Sequence, residues 1–298
     1  MGMSDILSGV DLTHASEQEL IALERQIARK HMAGLSLPMV IWPFANIAIW
    51  LSLWPLVLTG SLSLWVAFPI ACCNMMAAYL PSHDAQHDSY ARPGEKLRWL
   101  NETIGHSSAL LLAYSYRVLR ETHLEHHKHT NKDELDPDYL FNRDATAWKA
   151  VLKTIISFQP ASEEAKIYLK TLERLDTPNA RRGLRDQLVL MLGHLAILFT
   201  LAANGFALEA LLLWWLPLKI GVIYLRFYLS WAPHEGAKTG RYRNTKSFQS
   251  LGGDFGSSGM TAHVVHHLHP RIPHNRTVRA FREMLPILRV RNVDLGGH

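Results

Sequence analysis

Two pairs of long apolar runs dominate the pattern of this chain. Residues 36–58 and 62–81 are almost wholly apolar and are parted only by Thr59-Gly60-Ser61 and nearby small residues. Residues 187–204 and a run from Phe206 to about Trp231 repeat the arrangement around Asn204-Gly205. No Lys or Arg occurs from Leu35 to Ala91, or from Gln187 to Leu218. A helix needs about 20 apolar residues to cross a bilayer. The pattern therefore predicts an all-α integral membrane protein with about four transmembrane helices in two hairpins. Both hairpin turns lack Lys and Arg, whereas the N-terminal arm, residues 92–186 and the tail are rich in them. The positive-inside rule then puts the turns outside and everything else in the cytoplasm.

The remaining segments read as a cap on this frame. Residues 1–34 form an N-terminal arm, 35–285 the membrane domain and 286–298 a tail. In the arm, Ser16 and Glu19 make a capping box, and Leu20, Leu23 and Ile27 line one face of a helix over 16–33. That helix is expected to be solvated or to lie at the membrane interface. Residues 104–114 are apolar but too short to span, which suits a re-entrant or buried helix. Residues 145–158 place Trp148, Val151, Leu152, Ile155 and Ile156 at helical spacing beside Lys149 and Lys153, as in an interfacial helix. In the fourth run, Arg226 is expected to snorkel to the inner surface. Lys219 lies deeper, where a lone cation is expensive.

Composition narrows the functional classes. Hydrophobic residues make up 48% of the 298 and charged ones 19%, with a formal charge of +5. No basic stripe alternates with aromatics, which argues against nucleic-acid binding; the positive segments suit an anionic leaflet better. The two cysteines, Cys72 and Cys73, are adjacent in an apolar run, so neither a disulfide framework nor a cysteine-built metal cluster is available. Residues 1–34 lack the apolar core of a secretory signal, so none is expected.

Histidine supplies the chemistry. Three short windows hold ten of the 17 histidines: His83-Asp-Ala-Gln-His87, His123-Leu-Glu-His126-His127-Lys-His129 and His263-Val-Val-His266-His267-Leu-His269. Spacings of i, i+3 and i+4 set imidazoles on one helix face. By the predicted topology all three windows lie at one membrane face. Eight imidazoles (His83, His87, His123, His126, His127, His263, His266, His267) exceed the needs of one metal and suit two. Neutral imidazole accepts zinc, copper, iron and nickel alike. His234, where the fourth run exits, is a ninth candidate. His129, His269, His106 and His274 are weaker ones, and His194, in mid-span, suits a core or pocket role. Carboxylates that can take the second N–H of a bound imidazole are Asp84, Asp88, Glu125, Asp136, Asp138 and Asp254.

The order HxxxH, HxxHH, HxxHH between apolar hairpins resembles the three histidine boxes of the membrane fatty acid desaturase superfamily. Asp136-Pro137-Asp138 after the second box and Leu268-His269-Pro270 after the third are similar too, and the likeness covers roughly residues 40–285. It implies a non-haem centre of two iron ions that uses O2, held by the eight box histidines with His234 as a ninth. It also implies electrons from a separate donor such as ferredoxin with its reductase. The spans and boxes use up the 298 residues, so the donor is expected to be a partner that docks on the basic cytoplasmic surface. The expected substrate is a lipid chain, oxidised at an unactivated C–H bond at the cytoplasmic side of a membrane, as in a bacterial inner membrane. Acyl desaturation is the first expectation. The H-D-A-x-H start, Trp231-Ala232-Pro233-His234 and the H-H-L-H-P ending also look like carotenoid ketolases, so ketolation or hydroxylation stays open. A metal transporter would place its histidines along a path within the spans, and a membrane zinc hydrolase would need only about three ligands. Both fit the pattern less well.

Overall fold

The computed structural model describes residues 5–143, 146–159 and 161–297. Met1–Ser4 of the arm, Ala145 at the start of the predicted interfacial helix, and His298 of the tail lie outside the described residues. The described chain is helical, and four helices are long and apolar enough to cross a membrane. They are α2 (Leu37–Leu58), α3 (Leu64–Gln86), α8 (Pro178–Ala203) and α9 (Ala207–His234). α1 (Glu17–Met32) precedes them. Between the hairpins run α4 (Arg98–Leu110), α5 (Tyr116–His129), α6 (Ala147–Ser157) and α7 (Glu163–Leu175). α10 (His263–Leu268) and α11 (His274–Val290) follow the last span.

Each hairpin turns at a glycine with a left-handed backbone, Gly60 at φ 73° and Gly205 at φ 88°. Only glycine adopts that region without strain. α2 and α8 bury few residues and present Leu, Ile, Val and Phe outward, as helices facing lipid must, whereas about half of α3 and of α9 is buried. α3 and α9 form the central pair. Gly221 of α9 abuts Met75 of α3, and a Cβ there would stand 3.0 Å from the Met75 carbonyl carbon and Cβ. Small residues permit such close crossings in membranes. Gly221→Leu is therefore expected to lower stability by about 1–3 kcal/mol through overpacking, read as a lower thermal midpoint in detergent. α2 and α3 are further joined by an amide pair: Asn46 Nδ2 donates to Asn74 Oδ1 at 2.7 Å, and Asn74 Nδ2 donates to the Asn46 carbonyl at 3.0 Å.

α1 begins at the predicted capping box: Glu19 N donates to Ser16 Oγ at 3.3 Å, and Ser16 N to Glu19 Oε2 at 2.7 Å. Its apolar face packs on protein, where the sequence predicts a solvated or interfacial helix. Leu20, Ile27 and Ala28 pack with Ala280, Phe281, Met284 and Ile287 of α11. Both helices are amphipathic, and each covers the other's apolar stripe. α4 covers only the first part of the 104–114 segment and starts earlier, at Arg98; it buries one face, through Asn101, Ile104, Gly105, Ser108 and Ala109, and leaves Trp99 and Leu110 exposed. α6 leaves Trp148, Leu152, Ile155 and Ile156 exposed, which suits an interfacial helix.

Two cations differ in surroundings from a simple snorkel. Arg226 enters an enclosed ion-pair site with Asp138 (3.1 Å) and Glu164, over the Phe141 ring at 4.4 Å. Lys219 Nζ lies 4.3 Å from the centre of the Phe158 ring, a cation–π contact.

Candidate metal centre

The three histidine windows sit on α3 and its C-terminal exit, on α5, and on α10. α5 starts at Ser115, whose side chain caps the Val118 amide at 3.4 Å. From there it runs in helical register through His123, His126 and His127. α9 widens into a π-helical stretch over Arg226–Trp231 just before His234, a distortion often found at functional sites.

These elements bring all nine candidate histidines into one buried cluster with two groups. Ring nitrogens of His83, His87, His123 and His266 lie within 4.8 Å of one another. Those of His126, His234 and His267 form a second such group. His127 faces the first: its Nε2 is 3.0 Å from His266 Nε2 and 3.2 Å from His123 Nε2. The same ring stacks on His267 with centroids 4.1 Å apart, so it stands between the groups. His263 lies between the groups, 4.8 Å from His267, 5.1 Å from His266 and 5.4 Å from His234 by ring centroid.

The donor set fits metal. Both nitrogens of His83 and of His267, and Nε2 of His87, His234 and His263, are buried and make no hydrogen bond among the described residues. A buried unpaired polar atom costs about 1–3 kcal/mol, and five rings of the cluster, each with at least one such nitrogen, call for a partner that accepts their lone pairs. Burial, reinforced by the neighbouring imidazoles, holds His87, His127, His263, His266 and His267 well below the usual histidine range. His123 is pushed down to about 3 by the same causes, burial first. These rings are neutral at physiological pH, with lone pairs available to a cation.

Two ligand candidates have oriented outer nitrogens. His126 Nδ1 lies 2.8 Å from Asp136 Oδ1, and His234 Nδ1 lies 3.1 Å from the Asn244 carbonyl. Burial acts to lower His126, but the charge and hydrogen bond of Asp136 outweigh it and leave it raised. Asn131 ties these two supports together. Its backbone N–H donates to Asp136 Oδ2 at 2.8 Å, and its side-chain amide donates to the Asn244 carbonyl at 2.8 Å. In each case the remaining nitrogen, Nε2, is left for the cluster. His234→Ala is accordingly expected to lower bound metal per chain more than His194→Ala does. The His194 ring packs on Trp214 at 4.3 Å, within the spans. Metal analysis of the two purified variants checks this; equal losses would remove the case for His234.

The other carboxylates do different things. Asp84 accepts the His274 backbone N–H at 3.0 and 3.1 Å, at the start of α11. Asp88 pairs with Arg120 at 2.9 Å and with Arg98. Asp138 accepts from the Tyr168 hydroxyl at 2.6 Å and pairs with Arg226. Burial would raise Asp138, but Arg226 and then His126 hold it at about 2. Asp254 accepts from Thr261 Oγ1 at 2.5 Å and Arg282 at 2.8 Å. Glu125 pairs with Arg174 at 3.1 Å and Lys128 at 3.3 Å. His269 bonds Glu24 of α1 at 2.9 Å, and His274 Nε2 reaches the Ser258 carbonyl. The His106 ring packs on Tyr116.

Asn131, Asn244 and Glu24 escaped the sequence reading. The first two act through amide and carbonyl groups that carry no metal-ligand signature. Glu24 sits on an arm far from every box in the chain order, yet it also holds Arg241 at 3.0 Å and the Tyr242 hydroxyl at 3.0 Å.

Comparison with known proteins gives the family. An omega-3 fatty acid desaturase of Glycine max chloroplasts is 26% identical over 255 residues, covering 75% of this chain and 55% of that protein. An sn-2 acyl-lipid omega-3 desaturase (ferredoxin) of Helianthus annuus chloroplasts is 26% identical over 273 residues, covering 75% and 57%. An sn-1 oleoyl-lipid 12-desaturase of Anabaena variabilis is 27% identical over 129 residues, 43% of this chain and 33% of that one. The chain spans little more than half the length of the plant relatives it matches. The sequence model of the fatty acid desaturase family runs from residue 59 to residue 294, from the first hairpin turn past the third histidine window, and on that match the chain belongs to the fatty acid desaturase family.

Proposed function

We propose that the chain is a membrane-bound, O2-dependent fatty acyl desaturase with two iron ions held by the nine clustered histidines. The observation that carries this is the pair of imidazole groups with unpartnered buried nitrogens at the ends of the spans. Bound iron would supply dioxygen reduction and the removal of hydrogen from an unactivated C–H bond. The residues of the chain hold and orient. Asp136 fixes the His126 ring with its Nδ1–H outward, and the Asn244 carbonyl does the same for His234. Packing buries both groups and keeps water from the reacting carbon.

The proposed location is the cytoplasmic face of a membrane such as a bacterial inner membrane, where a lipid tail enters from the bilayer and a donor docks from water. The ferredoxin in the name of the sunflower relative supports a small acidic iron–sulfur carrier as that donor. Relatives named for acyl lipids favour desaturation over carotenoid ketolation or hydroxylation. Convergence of the histidines in one cluster, not along a path, disfavours a metal transporter, and their number disfavours a zinc hydrolase. Reporter tags on the two termini should both read cytoplasmic; an exported tag would overturn this orientation.

The experiment is expression in a bacterial host, metal analysis of the purified protein, and profiling of host lipids against His266→Ala. About two iron ions per chain with new double bonds is the expected result. Iron with unchanged acyl chains points to carotenoid or other hydrocarbon oxidation. Zinc in an active preparation sinks the di-iron reading.

A further inference from the structure

Leu251 and Phe255 are 94% and 95% exposed, more than any other exposed large apolar residue of the described chain, including the outward faces of the four spans. Leu251 precedes, and Phe255 lies within, one short turn, Gly253–Gly256, in the segment that leads from the last span to the third histidine window. Left-handed backbone at Gly252 (φ 80°) and Gly253 (φ 59°) lets the chain reverse there.

The depth of this turn follows from its contacts with α9. Phe248, just ahead of it, stacks on Tyr228 with centroids 6.1 Å apart. At its far end, the Tyr224 hydroxyl donates to the Gly256 carbonyl at 3.0 Å and pairs with Ser258 Oγ at 2.7 Å. Tyr224 precedes Tyr228 by one helical turn, farther from the exit at His234. Between Phe248 and Gly256 the chain therefore descends along the span by about 6 Å, toward the bilayer. The contact point lies ten residues inside the C-terminal end of the spanning helix.

Charge agrees with this placement. The one ionisable residue of the turn, Asp254, is turned back onto the protein by Thr261 and Arg282. What projects is apolar: a leucine and a phenylalanine beside the C-terminal half of a spanning helix. Large apolar side chains left wholly in water are unfavourable, whereas the same pair beside a bilayer has a ready partner.

We propose that the 250–256 turn dips into the membrane and buries Leu251 and Phe255 among acyl chains at the rim of the metal centre. The chain continues through Met260, which is buried in the same apolar cluster as Tyr90 and Tyr116, to His263. The lipid surface is thus held within a few residues of the histidine cluster. The proposal rests on the membrane reading of the spans, not on iron or turnover, so its failure leaves the desaturase reading standing.

The test is depth-dependent quenching. Phe255→Cys and, separately, Leu251→Cys are made in a Cys72→Ala, Cys73→Ala background of the full chain, labelled with a fluorophore and placed in phosphatidylcholine vesicles. Nitroxides on the lipid acyl chains are expected to quench both labels strongly, and aqueous iodide weakly. The exposed Glu173 of α7, as Glu173→Cys, should show the reverse. Iodide access equal to that at 173 would put the turn in water and overturn the proposal. Protection from both quenchers would assign the pair to a protein contact, a second copy or the electron donor, and overturn it equally.

Discussion

Replacing His127 with alanine is expected to reduce turnover to background while leaving membrane insertion and helix content unchanged. The reason is where the ring sits. His127 Nε2 faces His266 and His123 of one group, and the ring plane stacks on His267 of the other. No other imidazole of the cluster stacks as closely on a member of the opposite group. Its removal takes a ligand from the first group and the packing that spaces the second. The fold should tolerate the change, because α5 is anchored elsewhere. Its Ser115 cap, the Tyr116 hydroxyl on the Ala85 carbonyl (2.9 Å) and Val118 beside Leu172 of α7 all remain. Circular dichroism and detergent extraction check the fold; metal per chain and the host lipid profile check the site. His106→Ala, whose ring packs on Tyr116 away from the cluster, is the matched control and should keep activity. Retained turnover in His127→Ala would remove the ligand assignment for the second box.

The same residues show why part of this site was legible in the sequence and part was not. An apolar run of membrane length with an uncharged turn has few alternatives, so the four spans and both hairpins were readable. Helical spacing within each window set His123, His126 and His127 on a common side of α5 before any coordinates. What periodicity cannot encode is which surface covers an amphipathic stripe. α1 carries the same signal whether it lies on lipid or on another helix, and it proved to pack on α11. Nor can proximity in sequence rank carboxylates. Asp84 adjoins His83 yet bonds the start of α11, while Asp136, nine residues past His127, reaches His126. The chain reverses after α5 at Asn131, in the left-handed region at φ 61°, and that reversal carries Asp136 back. Arg226 illustrates a third limit: its ion-pair partners, Asp138 and Glu164, come from segments far away in the chain.

Asp136→Ala is expected to weaken metal binding by about 10–100-fold, the usual effect of removing the hydrogen-bond partner of a ligating histidine. The loss should fall chiefly on the group of His126, His234 and His267. Asp136 Oδ1 orients His126 directly, and Oδ2 takes the Asn131 backbone N–H. Asn131 in turn donates to the Asn244 carbonyl that orients His234, and to the Lys238 carbonyl at 3.0 Å. One carboxylate thus steadies two rings from different helices. Asp136→Asn should fall between wild type and Asp136→Ala, because an amide oxygen still accepts from His126 but carries no charge. Asp138→Asn is the discriminating control. Asp138 shares the loop and the burial, but its side chain serves Arg226 and Tyr168. Loss of that pair is expected to lower stability with a smaller change in metal retention. Metal per chain after timed dialysis against a chelator separates the cases. If Asp138→Asn released metal as fast as Asp136→Ala, the effect would belong to the loop as a whole, and the hydrogen bond to His126 would lose its assigned role.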